Sequence, residues 1–193
     1  MLYPFMLFTT WVHECGHAVM TLLVGGHVHS IVIERNAAGV TRSLIPQGRV
    51  AQGLVASAGY LGASVVGCAL MTAARRKRSA HAILWTIGAF MLVTLVIWMR
   101  NPFGIAVVLV WSVALVVLSR QGSGPLSWFV LSLLAVQVAL DSVYDIRVLF
   151  LVHGGYSDAE TMSRLFVLPS WVWASVWMVM SVGLLTWTLL RTR

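Results

Sequence analysis

Apolar residues fall in six long blocks: Leu2 to Val24, Ala51 to Ala73, Ala80 to Met99, Phe103 to Ser119, Leu126 to Phe150 and Ser170 to Leu190. A helix needs about 20 apolar residues to cross the hydrocarbon layer, with roughly 17 to 25 tolerated. All six blocks lie in or near that window. Only Arg100-Asn101-Pro102 separates the third from the fourth, which predicts a tight turn between antiparallel helices. The expected fold is therefore an all-α polytopic membrane protein with about six transmembrane helices. The first block lacks a basic start and a small-residue cleavage site, and it contains His13, Glu14 and His17. It reads as a span rather than a cleaved signal.

Three stretches depart from the plain pattern. His27 to Glu34 is rich in β-branched residues, Val40 to Leu44 alternates apolar and polar, and Asn36, Ala37, Ala38 and Gly39 between them supply turn chemistry. A small β-hairpin at about 27–44 is expected, and since two strands alone are marginal in water it should pack against the helices or lie at the interface. In the second block Gly59, Ala63 and Gly67 recur four apart on one face, a spacing that lets helix backbones approach closely in lipid. Ser157-Asp158-Ala159-Glu160 has the form of a capping box, which predicts a short interfacial helix running to about Phe166. No long linker and no fixed-period repeat divides the chain, so residues 1–193 are expected to form one membrane-embedded domain.

Composition agrees with the membrane class. The chain is 59% hydrophobic and only 10% charged, against about half and a quarter for an ordinary soluble domain. The net charge of +7 raises the question of nucleic acid, but position answers it. Arg75-Arg76-Lys77-Arg78 follows the second block directly, and Arg191 and Arg193 end the chain. Such clusters flanking spans are positive-inside anchors. With six spans the N-terminus, that cluster, Arg120 and the C-terminus share one face, expected to be cytoplasmic. No nucleic-acid partner is expected. Cys15 and Cys68 lie inside apolar blocks without the paired spacing of a thiolate metal site, so packing is their expected role.

His13-Glu14-Cys15-Gly16-His17 fits the pattern H-E-x-x-H. Residues four apart lie one helical turn above each other, so both imidazoles can bind one metal ion, with Glu14 able to reach a metal-bound water as general base. Zinc lowers the pKa of such a water to about 7. Ionisable groups within a span are costly and mark functional sites. Here three occur in five residues, and Thr10 and Thr21 extend the same polar stripe.

A catalytic zinc commonly takes three protein ligands and keeps one position open. Among the other acids, Asp141 and Asp145 alone lie within a strongly apolar block, where Gln137, Asp141 and Asp145 recur four apart on one face. Carboxylates at that depth need a cation. The zinc at His13 and His17 is one partner for them, and Arg147 is the other.

At this point the chain resembles a known family. Thr10 to Ala18, followed by Leu22-Leu23-Val24-Gly25-Gly26, looks like the opening of the site-2 protease family of intramembrane zinc metalloproteases. It is more similar still to the compact, B-type bacterial branch. The hairpin, Ala58-Gly59-Tyr60-Leu61-Gly62 and Asp141-Ser142-Val143-Tyr144-Asp145 match as well. The resemblance implies one Zn2+ per chain on His13 and His17, with Glu14 as catalytic base and an aspartate from the later helix as third ligand. Asp145 matches the Tyr-Asp element of the branch, with Asp141 as alternate. Better-known members carry Leu-Asp-Gly there, whereas Ser142 follows Asp141 and Ile146 follows Asp145. The Asn/Pro element of larger members is absent.

The expected function is hydrolysis of peptide bonds in or near membrane-embedded helices, in a multi-pass protein of the bacterial cytoplasmic membrane with both termini cytoplasmic. A polar cavity between the first, second and fifth spans is required to admit water. The expected partners are the lipid bilayer and a membrane-protein substrate presented at the hairpin as an added strand. The alternative is a non-proteolytic scaffold or regulator with a structural zinc site, for which Glu14 would be dispensable. A transporter needs polar residues along a path through several spans, and the third and fourth are nearly bare of them.

Overall fold

The computed structural model describes residues 2–76, 79–149 and 157–191. Lys77 and Arg78 of the basic cluster, Phe150 at the end of the fifth block, and Arg193 lie outside the described residues. The elements follow in the order α1 (Tyr3–Leu23), β1 (His27–Ile33), β2 (Gly39–Leu44), α2 (Arg49–Ala74), α3 (Ala80–Ile97), α4 (Pro102–Gln121), α5 (Gly124–Leu149), α6 (Asp158–Phe166) and α7 (Ser170–Arg191). Local chemistry sets several of their ends. A proline opens α1 and another opens α4, at positions whose amides have no helical partner in any case. Gly25, at φ 81°, ends α1 and sends the chain into β1, with the Gly25 and Gly26 amides bonded to the carbonyls of Leu22 and Thr21. The left-handed backbone there suits glycine.

Five helices, α2, α3, α4, α5 and α7, are long and apolar enough to cross a membrane. The protein is an integral, multi-pass membrane protein with a mostly helical fold and one small hairpin, as its hydropathy predicts. Helix α1 has the length, 21 residues, but Thr9, Thr10, His13, Glu14 and His17 dilute its apolar character. Ten of its residues are buried, so protein rather than lipid surrounds most of that polar stripe. Lipid gives helices no hydrophobic reason to associate, and close packing replaces it. Gly67 lies against the backbone of Ala139 on α5, and Gly88 of α3 against Val116 on α4; a Cβ at either glycine would come within 3.0 Å of its neighbour.

Strands β1 and β2 pair antiparallel, with Ile31 opposite Thr41 and a bulge between Val28 and Ser30. The hairpin runs along α1 instead of standing off it. Tyr3 Oη donates to the Arg35 carbonyl near its tip (2.6 Å), Thr10 Oγ1 to the Ala37 carbonyl (2.8 Å), and Thr21 Oγ1 to Ser43 Oγ (3.2 Å). The outer edge of β1 is closed by the turn after α3. The Ile31 amide donates to the Trp98 carbonyl, and the Asn101 side chain bonds both the amide and the carbonyl of Ile33. The outer edge of β2 has no backbone partner among the described residues.

Helix α6 forms where the capping box predicts, with the Ser157 hydroxyl accepting from the Glu160 amide (3.2 Å). Its Met162 and Phe166 rest against Gly53 of α2, where a Cβ would lie 2.7 Å from the Phe166 ring. The Phe166 ring also contacts Trp173 at the start of α7.

Candidate metal centre

His13 and His17 project from one face of α1, as their four-residue spacing requires, and their Nε2 atoms lie 3.0 Å apart. Room for both rings comes from Gly59 on α2, where a Cβ would fall 2.4 Å from His13 Nε2 and 2.5 Å from His17 Nε2. His17 Nδ1 is 2.7 Å from the Val55 carbonyl oxygen. A carbonyl only accepts, so Nδ1 carries the hydrogen and the neutral ring presents the Nε2 lone pair.

The carboxylate facing this pair is Asp158, the first residue of α6. Its Oδ2 lies 3.3 Å from His13 Nε2 and 3.2 Å from His17 Nε2. Burial alone would raise the Asp158 carboxyl. When no metal is bound and the rings are protonated, the charge of His17, hydrogen bonds from both imidazoles and the charge of His13 outweigh it and hold the group well below the usual carboxylate range.

Two imidazole nitrogens and a carboxylate oxygen thus converge, all within 4.8 Å of one another. With His17 protonated at Nδ1, and His13 in the same tautomer, three electron-pair donors would face one point, an arrangement suited to a cation. Zinc–ligand distances of about 2.0–2.1 Å in a tetrahedron put neighbouring ligand atoms about 3.3 Å apart. The three separations here, 3.0, 3.2 and 3.3 Å, fit that figure.

Glu14 is buried beside the pair and held by the hairpin. The Thr41 hydroxyl sits 2.7 Å from Glu14 Oε2 and 3.0 Å from its carbonyl oxygen. At Gly39 a Cβ would lie 2.5 Å from Glu14 Oε1, so that position on β2 has space only for hydrogen. The site opens into a cavity of about 770 Å³ lined by His13, Glu14, His17, the hairpin, the start of α2, Tyr60, Asp145 and Asp158. This is the polar cavity expected from the sequence, with the hairpin and α6 added to its walls.

The aspartates of α5 stand further off. Asp145 is half-buried on the cavity wall and forms no hydrogen bond or ion pair with either imidazole among the described residues. Asp141 is buried and accepts a hydrogen bond from Thr9 Oγ1, one helical turn before His13. Arg147 is exposed and, among the described residues, pairs with neither. Sequence reasoning thus looked to Asp145 where the structure brings up Asp158. The capping box was the only local sign of Asp158, and it read as structural. The small-residue stripe of α2 holds as packing at Gly67 and does a second thing at Gly59.

A family model described as Peptidase M50B-like matches residues 1–188. No curated protein and no solved structure matches the chain.

Proposed function

This chain belongs to the Peptidase M50B-like family, and from that premise we propose that it is an intramembrane zinc metalloprotease acting on membrane-embedded or membrane-proximal polypeptides. The observation that carries the reading is the convergence of His13, His17 and Asp158 beside a buried Glu14, at the edge of a cavity within a membrane protein. A structural zinc site is closed by four protein ligands, whereas a catalytic one keeps a position open. Three donors next to a cavity favour the second kind.

Zinc bound to His13, His17 and Asp158 would supply an acidified water and an electrophile for the scissile carbonyl. Each residue's task follows from its setting. Val55 orients His17 through Nδ1, and Gly59 leaves room for both rings. Glu14, steadied by Thr41, takes the proton from the attacking water and returns one to the leaving amine. The free edge of β2 lies at the cavity, since Gly39, Val40, Thr41 and Ser43 line it, and an extended substrate segment can pair there as an added strand. Proline substitutions placed one at a time along β2 test that docking mode, and unchanged cleavage in all of them would sink it.

The decisive measurement is zinc per chain in detergent-purified protein. Wild type and Asp145→Ala should hold about one zinc, and Asp158→Ala much less, as a three-ligand site requires. Zinc lost with Asp145→Ala and kept with Asp158→Ala would return the third position to α5. Glu14→Gln should retain zinc and lose cleavage, and retained cleavage would refute the peptidase reading.

A further inference from the structure

Hydrolysis at this site develops a charge that the protein itself can help to stabilise, beside the electrophile that zinc would supply. When the water oxygen bonds to the scissile carbon and its proton passes to Glu14, the carbonyl oxygen becomes an oxyanion. A fixed hydrogen-bond donor aimed at that oxygen is a large contributor to catalysis of this kind. Among the described residues, no lysine or arginine lines the cavity. Its described wall offers neutral side chains as donors.

The hydroxyls of the cavity wall are mostly engaged. Thr10 donates to the Ala37 carbonyl, Thr41 sits against Glu14, and Thr161 donates to the Ser157 carbonyl. Ser43, Ser157 and Gln52 also reach the cavity, but none of them makes a hydrogen bond or ring contact with the imidazoles. Tyr60 does. Its ring meets His13 edge-on with centroids 4.6 Å apart, and its other side stacks on Trp177 at 5.2 Å and 21°. It directly follows Gly59, the residue that lies against both imidazoles. Among the described residues its hydroxyl has no hydrogen-bond partner, and the side chain lines the same cavity as Glu14 and Asp158.

We propose that the Tyr60 phenol is the transition-state donor of this site. It hydrogen-bonds the oxygen of the tetrahedral adduct while staying neutral itself. On collapse the carbon–nitrogen bond breaks, the carbonyl re-forms, and Glu14 delivers its proton to the amine nitrogen. The edge contact with His13 and the stack on Trp177 hold the ring in place before substrate arrives, so little reorganisation is needed at the moment of reaction. This inference rests on the peptidase reading above.

Tyr60→Phe tests it, because the change keeps both ring contacts and removes one oxygen. Two quantities are measured on zinc-loaded protein in detergent. One is kcat and KM on a membrane-helix substrate. The other is the Kd of a phosphinic pseudopeptide, a tetrahedral mimic, against that of the matching product peptide. The expected result is kcat about 100-fold lower with KM nearly unchanged, a phosphinate Kd raised by a similar factor, unchanged product binding and full zinc content. A kcat and a phosphinate Kd both within about threefold of wild type would overturn the assignment, since a lost donor of this type costs far more. Loss of zinc on removal of that single oxygen would overturn it too, by making Tyr60 part of the metal site's support. If wild type cleaves no better than Glu14→Gln, the peptidase reading itself fails, and this inference with it.

Discussion

At Gly59 the two imidazoles occupy the space in which any other residue would place its Cβ. The nearest atoms are imidazole ring atoms hemmed in by Val55 and Tyr60, so relief has to come from the ligands themselves. Gly59→Ala should weaken zinc affinity by about tenfold or more, as displaced ligand support does, measured by competition with a chelator of known strength. Thr41 acts on the other partner. Its hydroxyl is a strand residue's contribution to a base on α1, and Thr41→Val should lower kcat by about tenfold with zinc content unchanged, in line with a lost hydrogen bond to a charged group of roughly 1.5–3 kcal/mol. Steady-state kinetics beside metal analysis check that split. Loss of zinc together with activity would show Thr41 to be structural.

Among the elements, the hairpin is fixed on one edge and, among the described residues, has no backbone partner on the other. Asn101 stands in for a third strand by bonding the amide and carbonyl of Ile33 at 3.2 and 2.7 Å, and Arg100 caps the end of α3 by donating to the carbonyls of Val96 (3.4 Å) and Ile97. Asn101→Ala removes two bonds worth about 0.5–1.5 kcal/mol each. Faster hydrogen exchange at the Ile33 amide and a lower thermal midpoint should follow, and unchanged exchange would show that the hairpin is held elsewhere. Helix α6 is the element whose role sequence patterning misses most. Its capping box, its length and its amphipathic face are all legible, yet its use is to carry Asp158 to a pair of histidines on α1.

On the scale of the whole molecule Arg75, Arg76, Arg120 and Arg191 mark one end, while Arg35, Arg42, Arg49, Arg100, Arg147 and Arg164 lie elsewhere. Arg75 Nη1 donates to the Arg191 carbonyl (2.7 Å), and His81 at the start of α3 bonds the Ser119 carbonyl at the end of α4. That end should face the cytoplasm under the positive-inside rule. Cysteines introduced at Arg76 and Arg120 should react with an impermeant thiol reagent only from the cytoplasmic side, and one at Asn36 only from the other. Background is low because Cys15 and Cys68 are both buried. Labelling with the opposite sidedness would invert the topology and place the cavity towards the cytoplasm.

Sequence alone determined whatever depends on near neighbours. Six apolar blocks became six long helices, the β-branched stretch with its turn became a hairpin, and His13, Glu14 and His17 came together because a helix repeats every 3.6 residues. Tertiary structure decided what joins them. Asp158 reaches the imidazoles from a helix more than a hundred positions further along, and Thr41, Gly39 and Gly59 matter through space and not through spacing. A carboxylate buried in a span announces itself by its cost in lipid, as Asp141 and Asp145 do. One at the start of a short polar helix is unremarkable until that helix is docked.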